Sequence, residues 1–159
     1  MKQTIDDFFS AIRNGEVTVV KQLIAKDPKL VDTIDQRGFT PLILATYYDK
    51  QAIVGVLLEH GAKIDAKDAS GNTALMGVCF KGFTGIAEEL ITKGANVNES
   101  NAMGATSLIY AATFNWPEIA KLLLEHGADT TAKDAKGHTA LDHAKTQGAT
   151  ELIDLLGLQ

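Results

Sequence analysis

Arginine, cysteine and long apolar runs are scarce in this 159-residue chain, and each scarcity removes a class of function. The only arginines are Arg13 and Arg37, and the formal net charge is -5. Guanidinium forks and excess positive charge are what phosphate backbones select, so nucleic acid is not an expected partner. The single cysteine, Cys79, excludes an internal disulfide framework and fits a reducing compartment. No run approaches the ~18 apolar residues that a membrane helix needs, so no membrane insertion is expected. Residues 1–12 carry Asp6 and Asp7 and lack the apolar centre of a secretory signal. With Met1 as the natural start, the chain is expected to be cytoplasmic.

What the chain has instead is a period. Thr40, Thr73, Thr106 and Thr139 are spaced 33 residues apart. Gly38, Gly71, Gly104 and Gly137 precede them by two positions, and Leu42, Leu75, Leu108 and Leu141 follow by two. A second glycine column stands at Gly61, Gly94 and Gly127. A fixed period of this length predicts stacked repeats rather than one globular core, and stacked repeats work as recognition surfaces.

Within one period, Thr40-Pro41 predicts an N-cap and first helical residue, with Leu42, Ala45 and Thr46 facing inward. A second helix is expected over about Gln51–His60, with Ile53, Val54, Leu57 and Leu58 at core spacing and Gly61 ending it. The column Gly15, Asp49, Gly82, Asn115, Gly148 contains only residues that tolerate positive φ, so one backbone requirement explains all five. The apolar columns Ile53, Ile86, Ile119, Leu152 and Leu57, Leu90, Leu123, Leu156 keep the same register. The first unit is shifted: its opening helix is expected over 4–12, with Ile5, Phe8, Phe9 and Ile12 on one stripe and a Thr4/Asp7 capping box. Its connector, residues 27–32, carries one extra residue.

Residues 35–45, DQRGFTPLILA, and 123–129, LLEHGAD, resemble the ankyrin repeat, and the resemblance covers essentially the whole chain. It implies an all-α ankyrin-repeat solenoid of stacked helix-turn-helix units with hairpin-like projecting turns and a concave face. The expected organisation is one domain, 1–159, with repeats at approximately 2–35, 36–68, 69–101, 102–134 and 135–159, the outer two serving as caps. The chain departs from the family at its usual histidine position, which holds Ile43, Met76, Ile109 and Asp142. The hydrogen bonds that this histidine makes must therefore be absent or replaced by apolar packing.

The resemblance also implies where a partner sits: in the turns and at the end of the first helix. Those columns place Arg37, Phe39, Tyr47, Tyr48, Asn72, Phe80, Lys81, Met103, Phe114 and His138 on the contact face. Five of the ten aromatic residues fall there. Aromatic rings bury much area with few rotatable bonds, which makes them efficient anchors. The expected function is a non-catalytic module that binds a protein or peptide through an apolar groove with a partly basic rim. A second reading for each ring is that it folds back over its own repeat.

Catalytic and metal chemistry finds little footing. Cys79 shares a column of mostly small residues with Thr46, Ala112 and Lys145 and reads as a buried structural thiol. His60 and His126 lie two repeats apart, beyond the reach of one metal. His138 and His143 have no carboxylate at ligand spacing except Asp142, which diverges from His143 by about 100° on a helix. The glycines follow the repeat period and form no phosphate loop. No cofactor or metal is expected. Trp116 shares a column with Phe83 and is expected to pack between repeats, with a contact role as the alternative. Other functional alternatives are self-association through Leu155, Leu156 and Leu158, making an end-to-end dimer of an otherwise monomeric chain, and a small-molecule pocket.

Overall fold

The computed structural model of the chain describes residues 2–158. Among the described residues ten α-helices run in sequence: α1 (Lys2–Asn14), α2 (Val17–Lys26), α3 (Pro41–Tyr47), α4 (Gln51–Glu59), α5 (Ala74–Lys81), α6 (Thr84–Thr92), α7 (Ser107–Thr113), α8 (Pro117–Glu125), α9 (Ala140–Gln147) and α10 (Thr150–Gly157). They pack as consecutive pairs. The first helices form one row, α1 against α3, then α5, α7 and α9; the second helices form a parallel row, α2 against α4, then α6, α8 and α10. This is an all-helical solenoid. Among the described residues the only β pairing outside it is an isolated bridge between Ser100 and Thr106.

Each pair is built by the same local devices. Thr40, Thr73, Thr106 and Thr139 are the N-caps of α3, α5, α7 and α9, and their hydroxyls accept from the amides of Ile43, Met76, Ile109 and Asp142. Removing such a cap typically costs about 1 kcal/mol. The column between paired helices adopts positive φ throughout: 73° at Gly15, 56° at Asp49, 81° at Gly82, 60° at Asn115 and 64° at Gly148. The left-handed residue reverses the chain between helices.

The core lies between the two helix rows. Ile53, Ile86, Ile119 and Leu152 are buried, as are Leu57, Leu90, Leu123 and Leu156. Each buried side chain of this kind contributes about 1.5–3 kcal/mol. Ile43, Met76 and Ile109 are also buried, so apolar packing fills the family's histidine position. The fourth member, Asp142, instead accepts from the Thr139 amide at 3.0 Å and completes a capping box. Turn-to-turn bonds reinforce the stack: Ala102 N–H to Ser70 O at 3.0 Å, Ala135 N–H to Met103 O at 2.9 Å, and Asn96 N–H to Asp65 Oδ1 at 2.9 Å.

One local expectation needs correction, and two other segments gain detail. Helix α1 begins by Lys2, so Thr4 lies inside it and caps nothing; Asp7 instead accepts from Gln3 Nε2 at 2.9 Å, an i, i+4 bond that supports the extra turn. The connector after α2 is ordered as a 3₁₀ turn, Pro28–Asp32, that buries Leu30 and Val31 under an Asp27 cap. At the C-terminal end, Leu156 is core and Leu155 packs partly against it, which leaves Leu158 as the exposed member of that trio.

Trp116 packs between repeats as its column suggests, over Gly82: a Cβ placed on Gly82 would lie 2.5 Å from the indole Cζ2. The indole N–H points at Phe80 O, 3.4 Å away. Gly82 is thus doubly required, by its φ of 81° and by the ring above it. Gly61 has a similar φ of 84° but open space at its Cβ position. Gly61→Ala is expected to cost about 1–2 kcal/mol, the ordinary penalty of a left-handed alanine. Gly82→Ala should cost more and shift the Trp116 fluorescence, as read in urea unfolding; equal losses would show that the indole moves aside freely.

Candidate protein-binding face

The turns and first helices form one face, and the exposed aromatic rings gather on it. Helices α3, α5 and α7 are short and bury their Leu and Ala residues inward, so their last residues project outward. Tyr47 is 56% exposed, Phe80 48% and Phe114 41%. These values separate the rings from the core, where comparable side chains are almost wholly covered. The exposed rings touch in two pairs. Phe80 and Phe114 meet edge-to-face at 4.6 Å, and Tyr47 and Tyr48 at 5.1 Å. Lys81 Nζ sits 4.4 Å above the Tyr47 ring, and the Arg37 guanidinium 5.0 Å above Phe39. Two cations therefore border the apolar surface at fixed points.

Between α3 and α5 the face opens into a cleft of about 280 Å³. Phe39, Tyr47, Asn72, Phe80 and Lys81 line it, with Ile43, Met76, Gly77 and Tyr110. The lining is mostly apolar. Its polar members are largely committed elsewhere: Asp68 Oδ1 accepts the amides of Ser70 and Asn72, and Asn72 Oδ1 accepts from Asn101 Nδ2 at 2.8 Å.

Of the residues expected on the contact face, the structure unites eight. Phe39, Tyr47, Asn72, Phe80 and Lys81 share the cleft; Tyr48, Phe114 and Arg37 adjoin it through ring and cation contacts. Met103 is exposed on its turn but does not line the cleft. His138 lies on the last turn, against His143 instead.

One column escaped the sequence reading. Leu44, Gly77, Tyr110 and His143 occupy the same place in successive first helices. Gly77 leaves the cleft floor open, with nothing within 4 Å of its Cβ position. Tyr110 joins the aromatic group, 6.1 Å from Phe80 and stacked on Phe114 at 6.5 Å, and its hydroxyl accepts from Asn101 Nδ2 at 2.8 Å. His143 Nε2 lies 2.7 Å from Asp134 Oδ2. The carboxylate missing from the histidine search is therefore Asp134, nine residues away across a turn. The signal available in sequence was the column itself, which varies in size and polarity more than a core column should.

Cys79 is buried, and burial pushes its thiol up to about 12, partly offset by a hydrogen bond to Ser107. At neutral pH it stays protonated and supplies no nucleophile.

The family model described as ankyrin repeats (3 copies) matches two segments of the chain, residues 8–68 and 75–157. No curated protein matches the chain.

Asp134 gives the face a titration signature. The His138 amide, then the His143 ring, then the Lys136 amide donate to its carboxylate and lower it to about 2. The folded value lies below the unfolded one of about 3.9, so the stabilisation is complete above that value and is lost as pH falls toward 2. Asp134→Asn is expected to flatten the loss of stability between about pH 4 and pH 2, followed by urea unfolding. An unchanged acid limb would place the acid sensitivity elsewhere.

Proposed function

The chain belongs to the ankyrin repeat family, and we propose that it binds a protein or peptide through the face formed by its turns and first helices. Ankyrin repeats are generally protein–protein interaction modules and typically non-catalytic. The observation that carries the reading is two pairs of exposed rings, Tyr47 with Tyr48 and Phe80 with Phe114, brought together at one apolar cleft that Tyr47 and Phe80 both line. A surface of this kind is costly to leave in water and marks a partner site. The cleft volume, about 280 Å³, falls just below the ~300–1,000 Å³ typical of small-molecule pockets. Its shape favours one or two apolar side chains of a partner over a cofactor. Arg37 and Lys81 at the rim favour acidic residues flanking that anchor, with the charge pattern setting encounter rate more than affinity.

We read residues 1–159 as one domain with the five repeat boundaries given above, and as a monomer working in the cytoplasm. Among the described residues, no helix is long and apolar enough to cross a membrane. Self-association is the weaker reading, because Leu156 is in the core and Leu158 alone is a narrow apolar contact.

The proposal separates binding from folding. Tyr47→Ser, Phe80→Ser and Phe114→Ser together should abolish capture of the partner from the native extract, since aromatic anchors are worth about 2 kcal/mol or more each. The thermal midpoint should move by only a few degrees, as expected for exposed sites. Collapse of the midpoint would show that the rings are core. Gly77→Leu should fill the cleft and weaken binding at least ~10-fold, the equivalent of about 1.4 kcal/mol; undiminished binding would remove the cleft from the interface.

A further inference from the structure

The last helix pair holds three ligand-capable side chains at one place. We propose that Asp134, His138 and His143 form a binding site for a divalent transition-metal ion of the zinc class. One ligand atom from each lies within 4.8 Å of the other two. The His138 and His143 rings meet edge-to-face at 5.5 Å, and His143 Nε2 is 2.7 Å from Asp134 Oδ2.

The convergence is a property of the fold rather than of one set of rotamers. The three residues occupy the turn start, the fourth residue after it and the ninth, on α9. In the preceding repeat the equivalent positions hold Asn101, Ala105 and Tyr110, and there too the first and third meet, Asn101 Nδ2 to Tyr110 Oη at 2.8 Å. Earlier repeats carry Asp35, Phe39, Leu44 and Asp68, Asn72, Gly77. Only the last repeat fills all three positions with metal ligands.

The carboxylate is preorganised. Asp134 Oδ1 accepts the amides of Lys136 and His138, each at 3.0 Å, which fixes the plane of the group and leaves Oδ2 toward the histidines. His138 is exposed on the turn and can rotate, while His143 is half-buried on the helix. Imidazole and carboxylate together suit zinc, cobalt, nickel or copper, at about 2.0–2.2 Å from a zinc ion. The ion takes the place of the hydrogen between His143 Nε2 and Asp134 Oδ2, and the neutral ring binds it as the tautomer whose proton has moved from Nε2 to Nδ1. Asp142, near His138, adds a second negative charge to the neighbourhood. Three protein ligands leave a coordination position open to water or to a partner's side chain.

The test uses the full chain without an affinity tag, titrated with Zn²⁺ by calorimetry and with Co²⁺ by visible absorption. The control is the double variant Asp134→Asn with His143→Tyr, which reproduces the Asn101–Tyr110 pair that this fold already accommodates, together with His138→Gln on the exposed turn. One ion per chain is expected, with cobalt bands of a low-coordinate site, and each variant should bind at least ~10-fold more weakly with an unchanged helical spectrum. The absence of binding by the native chain, or equal binding by native chain and variants, would overturn the proposal and leave the His143–Asp134 contact as a structural tie.

Discussion

No helix pair in this chain can bury its apolar face alone; each does so against the next pair. The columns headed by Ile53 and Leu57 are covered because neighbouring columns lie on both sides, and the turn-to-turn bonds extend the same stacking outward. Stability is then a sum of neighbour interfaces, and geometry is inherited from one pair to the next. The left-handed residue between paired helices and the threonine cap at each first helix hold that geometry fixed. Everything functional depends on this, because a repeated backbone offers the same surface positions four or five times and leaves their chemistry free.

The recognition surface is the result of that freedom. Positions at the end of the first helix hold Tyr47, Phe80 and Phe114, which the stacking does not need and does not cover. The column Leu44, Gly77, Tyr110 and His143 shows the principle most clearly. One backbone place serves as buried filler, cleft floor, aromatic contact and histidine tie in succession. A rigid stack can change its local chemistry in this way without changing its shape, so binding requires little rearrangement.

Much of the fold was legible because its constraints are local and repeated. Thr40 and its equivalents announce helix starts, and Gly15, Asp49, Gly82, Asn115 and Gly148 announce one backbone conformation; all five have positive φ. The exposed rings followed from their columns. What was not legible depends on tertiary distance or on the absence of a side chain. The Gly77 cleft is a missing wall, which no motif records. The contact between Asp134 and His143 spans nine residues across a turn and matches no helical or metal-ligand spacing. Helix α1 starts early because an end helix has no preceding repeat to set its boundary, and the Gln3–Asp7 bond settles it locally.

The central claim is that the turns and first helices, not the second helices or the ends, meet the partner. Hydrogen–deuterium exchange of the chain, free and bound to a captured partner, tests it most directly. The account predicts added protection in residues 38–48, 71–81 and 104–114, and little change in α4, α6 and α8. Protection concentrated in the second helices, or confined to residues 150–158, would contradict it.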